Sequence, residues 1–111
     1  LMHNSIILPL AKEDIREAAQ WYNKQRPGLG RRFTNEVRES VQFIKQNPKA
    51  CNIRYDQVRT TVLKVFPFMI HYTVDEDNKT VVISAVLHTS RDPKVWEKTD
   101  NIPDIYWLLT R

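Results

Sequence analysis

The stretch Phe68-Met69-Ile70-His71-Tyr72-Thr73-Val74, then Asp75-Glu76-Asp77-Asn78, then Val81-Val82-Ile83-Ser84-Ala85-Val86-Leu87-His88, decides the fold. Both apolar runs alternate with a period of two, the mark of half-buried strands. The acidic cluster between them is a turn signal. A two- or four-residue loop places Phe68, Ile70, Tyr72 and Val74 on one face with Val81, Ile83, Ala85 and Leu87. A three-residue loop without a bulge would set them on opposite faces, which burial of one face forbids. The expected hairpin therefore has one strongly apolar face. Its other face carries Met69, His71, Thr73, Ser84 and His88, a mixed surface open to a partner.

Working outward, Val58 to Phe66 is rich in β-branched residues and stops at Pro67, which reads as a further strand. Leu29, Phe33, Val37, Val41 and Ile44 recur near every fourth residue and end at Asn47-Pro48, giving a helix. Ile15, Ala18, Ala19 and Tyr22 form the stripe of an earlier helix that begins near Ala11 and is broken by Pro27-Gly28. Glu13 and Asp14 fall in its expected first turn, where the helix dipole favours acids. Two helices so closely joined run antiparallel, and their stripes need a sheet beneath them. Ser5-Ile6-Ile7-Leu8, stopped by Pro9, reads as an opening strand near residues 3–8. The expected class is α+β: an N-terminal strand, then a helical hairpin on a mostly antiparallel sheet of about four strands, then a short C-terminal helix or tail.

A chain of 111 residues supports one core. No apolar run reaches the ~18 residues of a membrane span, and no signal peptide is recognisable. Cys51 is the only cysteine, so no internal disulfide forms and a cytoplasmic location is expected. Residues 1–55 hold ten Lys and Arg against five Asp and Glu, whereas residues 56–111 hold seven against eight. The basic half suits an acidic partner, with a solvated helical face as the ordinary alternative. Lys24, Arg26, Arg31, Arg32 and Arg38 bracket the helix junction and are the candidates for such contact.

Several motifs dissolve on inspection. Gly28-Leu29-Gly30 follows a helix, and Phe33 stands where a dinucleotide fingerprint needs its third glycine. Helix capping and turn geometry account for both glycines. Asn78-Lys79-Thr80 matches a glycosylation sequon but reads as a turn. His3, His71 and His88 lack metal-ligand spacing, so neither a metal nor a cofactor is expected. By parity His71 and His88 share a sheet face. The polar run His88-Thr89-Ser90-Arg91-Asp92-Pro93 leaves the last strand, a place where sites are often built.

Taken in order, Pro27-Gly28-Leu29-Gly30-Arg31-Arg32-Phe33, Asn47-Pro48, Phe66-Pro67-Phe68-Met69-Ile70-His71-Tyr72 and His88-Thr89-Ser90-Arg91-Asp92-Pro93 resemble the ParE branch of the RelE/ParE toxin superfamily. The resemblance covers roughly residues 5–98. It implies a helical hairpin on a mostly antiparallel sheet, and the toxin half of a bacterial type II toxin–antitoxin pair. It further implies an antitoxin that wraps the domain with a partly acidic C-terminal segment, for which Lys24, Arg26, Arg31, Arg32 and Arg38 would be the contacts.

Two activities occur in that superfamily. ParE-like members poison DNA gyrase, and RelE-like members cleave mRNA on the ribosome. The nuclease branch usually has an arginine where Met69 stands here, and its terminal tyrosine has no clear counterpart, since Tyr106 lies beyond the matched region. The resemblance therefore favours a gyrase inhibitor that works by contact rather than by catalysis, with Arg59, Lys64, His88, Arg91, Asp92 and Trp96 as target contacts. The alternative is an endoribonuclease using Arg59, His71, His88 and Arg91 in acid/base and phosphate roles. A non-toxic binding remnant is the third reading. Residues 1–98 are expected to form the domain. Residues 99–111, with Ile102-Pro103-Asp104-Ile105-Tyr106-Trp107-Leu108-Leu109, form an apolar extension that would be sticky if exposed. Packing on the same domain or on a second copy, as a homodimer, would cover it.

Overall fold

The computed structural model describes residues 2–91. The expectations for Asp92, Trp96 and the 99–111 extension lie outside the described residues. In chain order the elements are β1 (Asn4–Ile7), α1 (Pro9–Gln25), α2 (Leu29–Gln46), β2 (Ile53–Tyr55), β3 (Val58–Val62), β4 (Phe68–Asp75), β5 (Thr80–His88) and a 3-10 turn (Thr89–Arg91). The strands form one sheet in the order β1-β5-β4-β3-β2. The expected α+β layering is observed, with two helices over the sheet, but the sheet has five strands rather than about four. The additional strand is β2, three residues long and too short to give a periodic signal. All neighbours are antiparallel except β1, which runs parallel to β5.

Pro9 does more than end the first strand. It occupies the start of α1, where a missing N–H costs nothing and the fixed φ suits a helix. The helix thus begins two residues before Ala11, and Asp14 lies in its second turn, facing inward and buried. The dipole role expected for Glu13 and Asp14 is not realised, since the first turn holds no acid.

The connection to α2 turns on two glycines with different tasks. Gly28 adopts φ +89°, a left-handed conformation that a side chain would strain. Gly30 is already helical and buried, and a Cβ there would run into the carbonyl oxygen of Ala19 on α1. Its absence lets the helices pack closely. Phe33, Val37, Val41 and Ile44 then point from α2 onto Ile70, Tyr72, Val81, Ile83 and Val86 of the sheet. Phe33 sits in a ring cluster with Tyr22, Phe66 and Phe68, at centroid separations of 5.5, 5.3 and 5.0 Å.

β3 is shorter than expected, ending at Val62. The chain then turns, and Glu36 on α2 holds that turn: its carboxylate accepts the N–H groups of Val65 (3.1 Å) and Phe66 (3.3 Å). The β4–β5 register brings one correction. His71 pairs with Ala85 and Tyr72 with Ile83, so Ser84 is an extra residue, a β-bulge. The Ser84 hydroxyl donates to the His71 carbonyl at 3.2 Å. Upstream of the bulge, Val81 and Ile83 face the helices as expected. Beyond it the parity inverts, so Val86 joins the core, while Ala85 and Leu87 share the opposite face with Met69 and His71.

Candidate functional site

The last turn of β5 and the strand-to-turn exit beside it form a cleft of about 560 Å³ against α1. Asp14, Glu17, Trp21 and Tyr22 line it from the helix, Pro67 and Phe68 from β4, and Val86, His88, Ser90 and Arg91 from the β5 side. The sequence builds it in three steps. β1 stops at Ile7, paired with Ile83, so the outer edge of β5 beyond that point has no neighbouring strand. The N–H of Val86 donates instead to Asp14 Oδ2 at 3.0 Å, in a buried bond that fastens α1 to the strand end. The bulge then turns His88 to the helix side, where its ring meets the Phe68 ring at 5.4 Å.

His88 is held in one tautomer. The backbone N–H of Ser90 donates to its Nδ1 at 3.1 Å, with the Ser90 hydroxyl 2.9 Å from the same atom. Nδ1 is therefore an acceptor, and in the neutral ring the proton sits on Nε2. Arg91 closes the 3-10 turn next to it. Trp21 is 58% exposed at the opposite wall, edge-on to Tyr22 at 5.1 Å. The cleft joins an apolar floor to both signs of charge: Asp14 and Glu17 on one side, Arg91 on the other. Apolar area flanked by both signs of charge is the composition of a protein–protein contact surface.

The other anticipated residues lie elsewhere. Arg59 on β3 faces the helix side, where its guanidinium donates to the carbonyls of Cys51 (2.6 Å) and Lys49 (3.4 Å). It braces the α2–β2 connection together with Tyr72, whose hydroxyl donates to Pro48 O at 2.8 Å. Burial is the main reason the Tyr72 phenol titrates far above its usual range. Lys64 is exposed on the β3–β4 turn and lines a groove of about 360 Å³ with Glu36, Phe43 and Val62. His71 is fully buried on the face away from the helices, with Nδ1 3.1 Å from the Tyr55 hydroxyl.

The expectation that His71 and His88 share a face is thus overturned, because the bulge at Ser84 separates them by parity. Of the anticipated contact residues among those described, the structure brings together only His88 and Arg91. Asp92 and Trp96 lie beyond the described residues. Lys24, Arg26, Arg31, Arg32 and Arg38 are all exposed on the helical hairpin, with Arg38 donating to Asn35 at 2.9 Å. Sequence reasoning missed Asp14 and Trp21. The Pro9 helix start would have placed Asp14 on the inward stripe with Ala11 and Ala18, one turn apart.

The described residues contain no group of three or more His, Cys, Asp or Glu able to hold a metal. None of their helices is long and apolar enough to cross a membrane. The family model for the ParE toxin of type II toxin–antitoxin systems, parDE, matches residues 6–93. No curated protein sequence matches significantly. Among solved structures, the chain is similar to one of the chromosomal ParDE system from P. aeruginosa. That match has TM-score 0.69 and 21% identity, covering 78% of this chain and 96% of that one. It is also similar to the toxin–antitoxin complex RelBE2 from Mycobacterium tuberculosis, with TM-score 0.57, 15% identity and coverage of 79% and 99%. The isolated E. coli RelE toxin matches with TM-score 0.61, 14% identity and coverage of 91% and 99%.

Proposed function

Since this chain belongs to the ParE toxin family of type II toxin–antitoxin systems, we propose that it inhibits DNA gyrase by protein contact and is neutralised by a cognate antitoxin. One observation carries the choice of contact over catalysis. Cleavage of RNA needs a base, an acid and a phosphate ligand around one atom. Here His71 is buried on one face of the sheet, Arg59 is engaged with two carbonyls on the other, and His88 and Arg91 stand at the cleft. Met69, where the nuclease branch usually has an arginine, is buried and uncharged.

In this reading the cleft is the target-binding surface. Trp21 and Phe68 offer apolar contact, and Arg91 and His88 offer donors. The exposed Lys24, Arg26, Arg31, Arg32 and Arg38 would receive the acidic segment of the antitoxin, and similar folds solved as toxin–antitoxin complexes support such a partner. A role in stabilising the replicon that encodes the pair, by arresting growth of cells that lose it, follows from the same reading, as does a cytoplasmic location.

The test is a supercoiling assay with purified gyrase, run beside a ribosome-bound mRNA cleavage assay. Loss of supercoiling that added antitoxin reverses is the expected result. Arg91→Ala and Trp21→Ala should each weaken it about tenfold, the loss expected for one hot-spot contact, while melting stays unchanged. Cleaved mRNA with normal supercoiling would overturn the reading in favour of the endoribonuclease. Normal growth on induced expression without antitoxin would favour the non-toxic remnant.

A further inference from the structure

The face of the sheet away from the helices is covered at its centre and open at its edges. Met69, His71, Ala85 and Leu87, on the inner strands β4 and β5, are at most 5% exposed. Ile6, on the edge strand β1, and Val62, at the end of β3, are each about half exposed. Side-chain neighbours on an open sheet shield only the flanks of a residue, so central positions without a covering layer keep contact with water. Both helices lie on the other side. Tyr55, on the edge strand β2, meets His71 from one side.

We propose that the apolar C-terminal segment Ile102–Leu109 of the same chain docks on this face and covers the Met69, His71, Ala85, Leu87 patch. Three features favour that occupant. The segment is apolar or aromatic at Ile102, Ile105, Tyr106, Trp107, Leu108 and Leu109, with Asp104 its only charge, which matches a patch whose one titratable member is His71. The chain leaves the described domain at Arg91, four residues past Leu87, at the end of β5 where the patch begins. Ten residues separate Arg91 from Ile102, a reach of up to ~35 Å. Five strands spaced at ~4.8 Å make the face only ~20 Å wide. The tether also gives the segment an effective concentration near the millimolar range, above that of any free competitor.

The cleft beside Trp21 and His88 lies on the opposite, helix side of the sheet. The proposal stands apart from gyrase inhibition, and its readout involves no target.

The test uses the full chain with Cys51→Ser and Thr110→Cys, spin-labelled at position 110 and carrying isotope-labelled methyl groups. The expected result is loss of more than half the signal at the Met69, Ala85 and Leu87 methyls, with far weaker broadening at Val37 and Val41 on α2, across the sheet. Unbroadened far-face methyls would overturn the proposal. So would broadening that appears only when label and isotope sit on different chains, which would assign the face to a second copy. The variant Trp107→Asp/Leu108→Asp should raise binding of an apolar dye several-fold and shift the Leu87 methyls while far-UV dichroism is retained. Unchanged dye binding and unchanged methyls would count against the docking.

Discussion

The two faces of the sheet use the same strands and are closed in different ways. On the helix side, Ile70, Tyr72, Val81, Ile83 and Val86 meet two long helices and an aromatic cluster. On the far side the buried patch is four residues, two on each of β4 and β5, rimmed by half-exposed Ile6 and Val62. A single extra residue, Ser84, decides which β5 side chains belong to which face. Alternation within a strand is therefore secure only between bulges, and a site assembled by parity across one is assembled wrongly.

The contrast can be tested by removing groups from each face. Phe33→Ala empties the centre of the ring cluster and should cost about 4 kcal/mol, read by urea denaturation with an unchanged slope. Leu87→Ala should cost about 2 kcal/mol, the low end for a core leucine, if the proposed single covering segment collapses onto the gap. Equal losses at the two positions would break the contrast. Asp14→Ala leaves the buried Val86 N–H without an acceptor and should cost about 2 kcal/mol. Asp14→Asn, which keeps an acceptor, should recover roughly half of that, as for a neutral in place of a charge-assisted bond.

Tyr72→Phe keeps the ring and strands the Pro48 carbonyl, a loss of about 1 kcal/mol by chemical denaturation. The smallest effect is expected in the solvent-exposed β4–β5 turn. There the Asn78 side chain, and then its N–H, donate to Asp75 and hold that carboxyl below its ordinary value. A lowered native value stabilises above the unfolded value and loses that contribution as pH falls through the native one. The melting temperature of Asp75→Ala should therefore lie slightly below that of the unsubstituted chain at pH 7. The gap should close as pH falls through the native value, because the carboxyl is then protonated in both states.

Much of the fold was legible because it is periodic. The α2 stripe from Leu29 to Ile44 and the β4 alternation from Phe68 to Val74 stand in the structure as the sequence implies. The bulge was not legible, since Val81 to His88 alternates smoothly and Ser84 fits either face. Pro9 misled in the opposite way: it looked like the end of a strand and was also the first residue of a helix, which hid Asp14 on the inward side. The cleft was half legible. His88 and Arg91 follow a strand end, a local signal, but Asp14 and Trp21 join them through contacts more than sixty residues apart in sequence, which no local pattern carries.

β5 is the last strand described, yet it lies between β1 and β4, and β1 has no other neighbour in the sheet. A nascent chain therefore reaches residue 46 with both helices made and nothing to lay them on, and the first strand waits for residues 80–83 before it can pair. Topology of this kind defers the native state until nearly all of the domain has been translated. A chain cut short before residue 80 therefore holds two helices and a first strand with no partner strand to join.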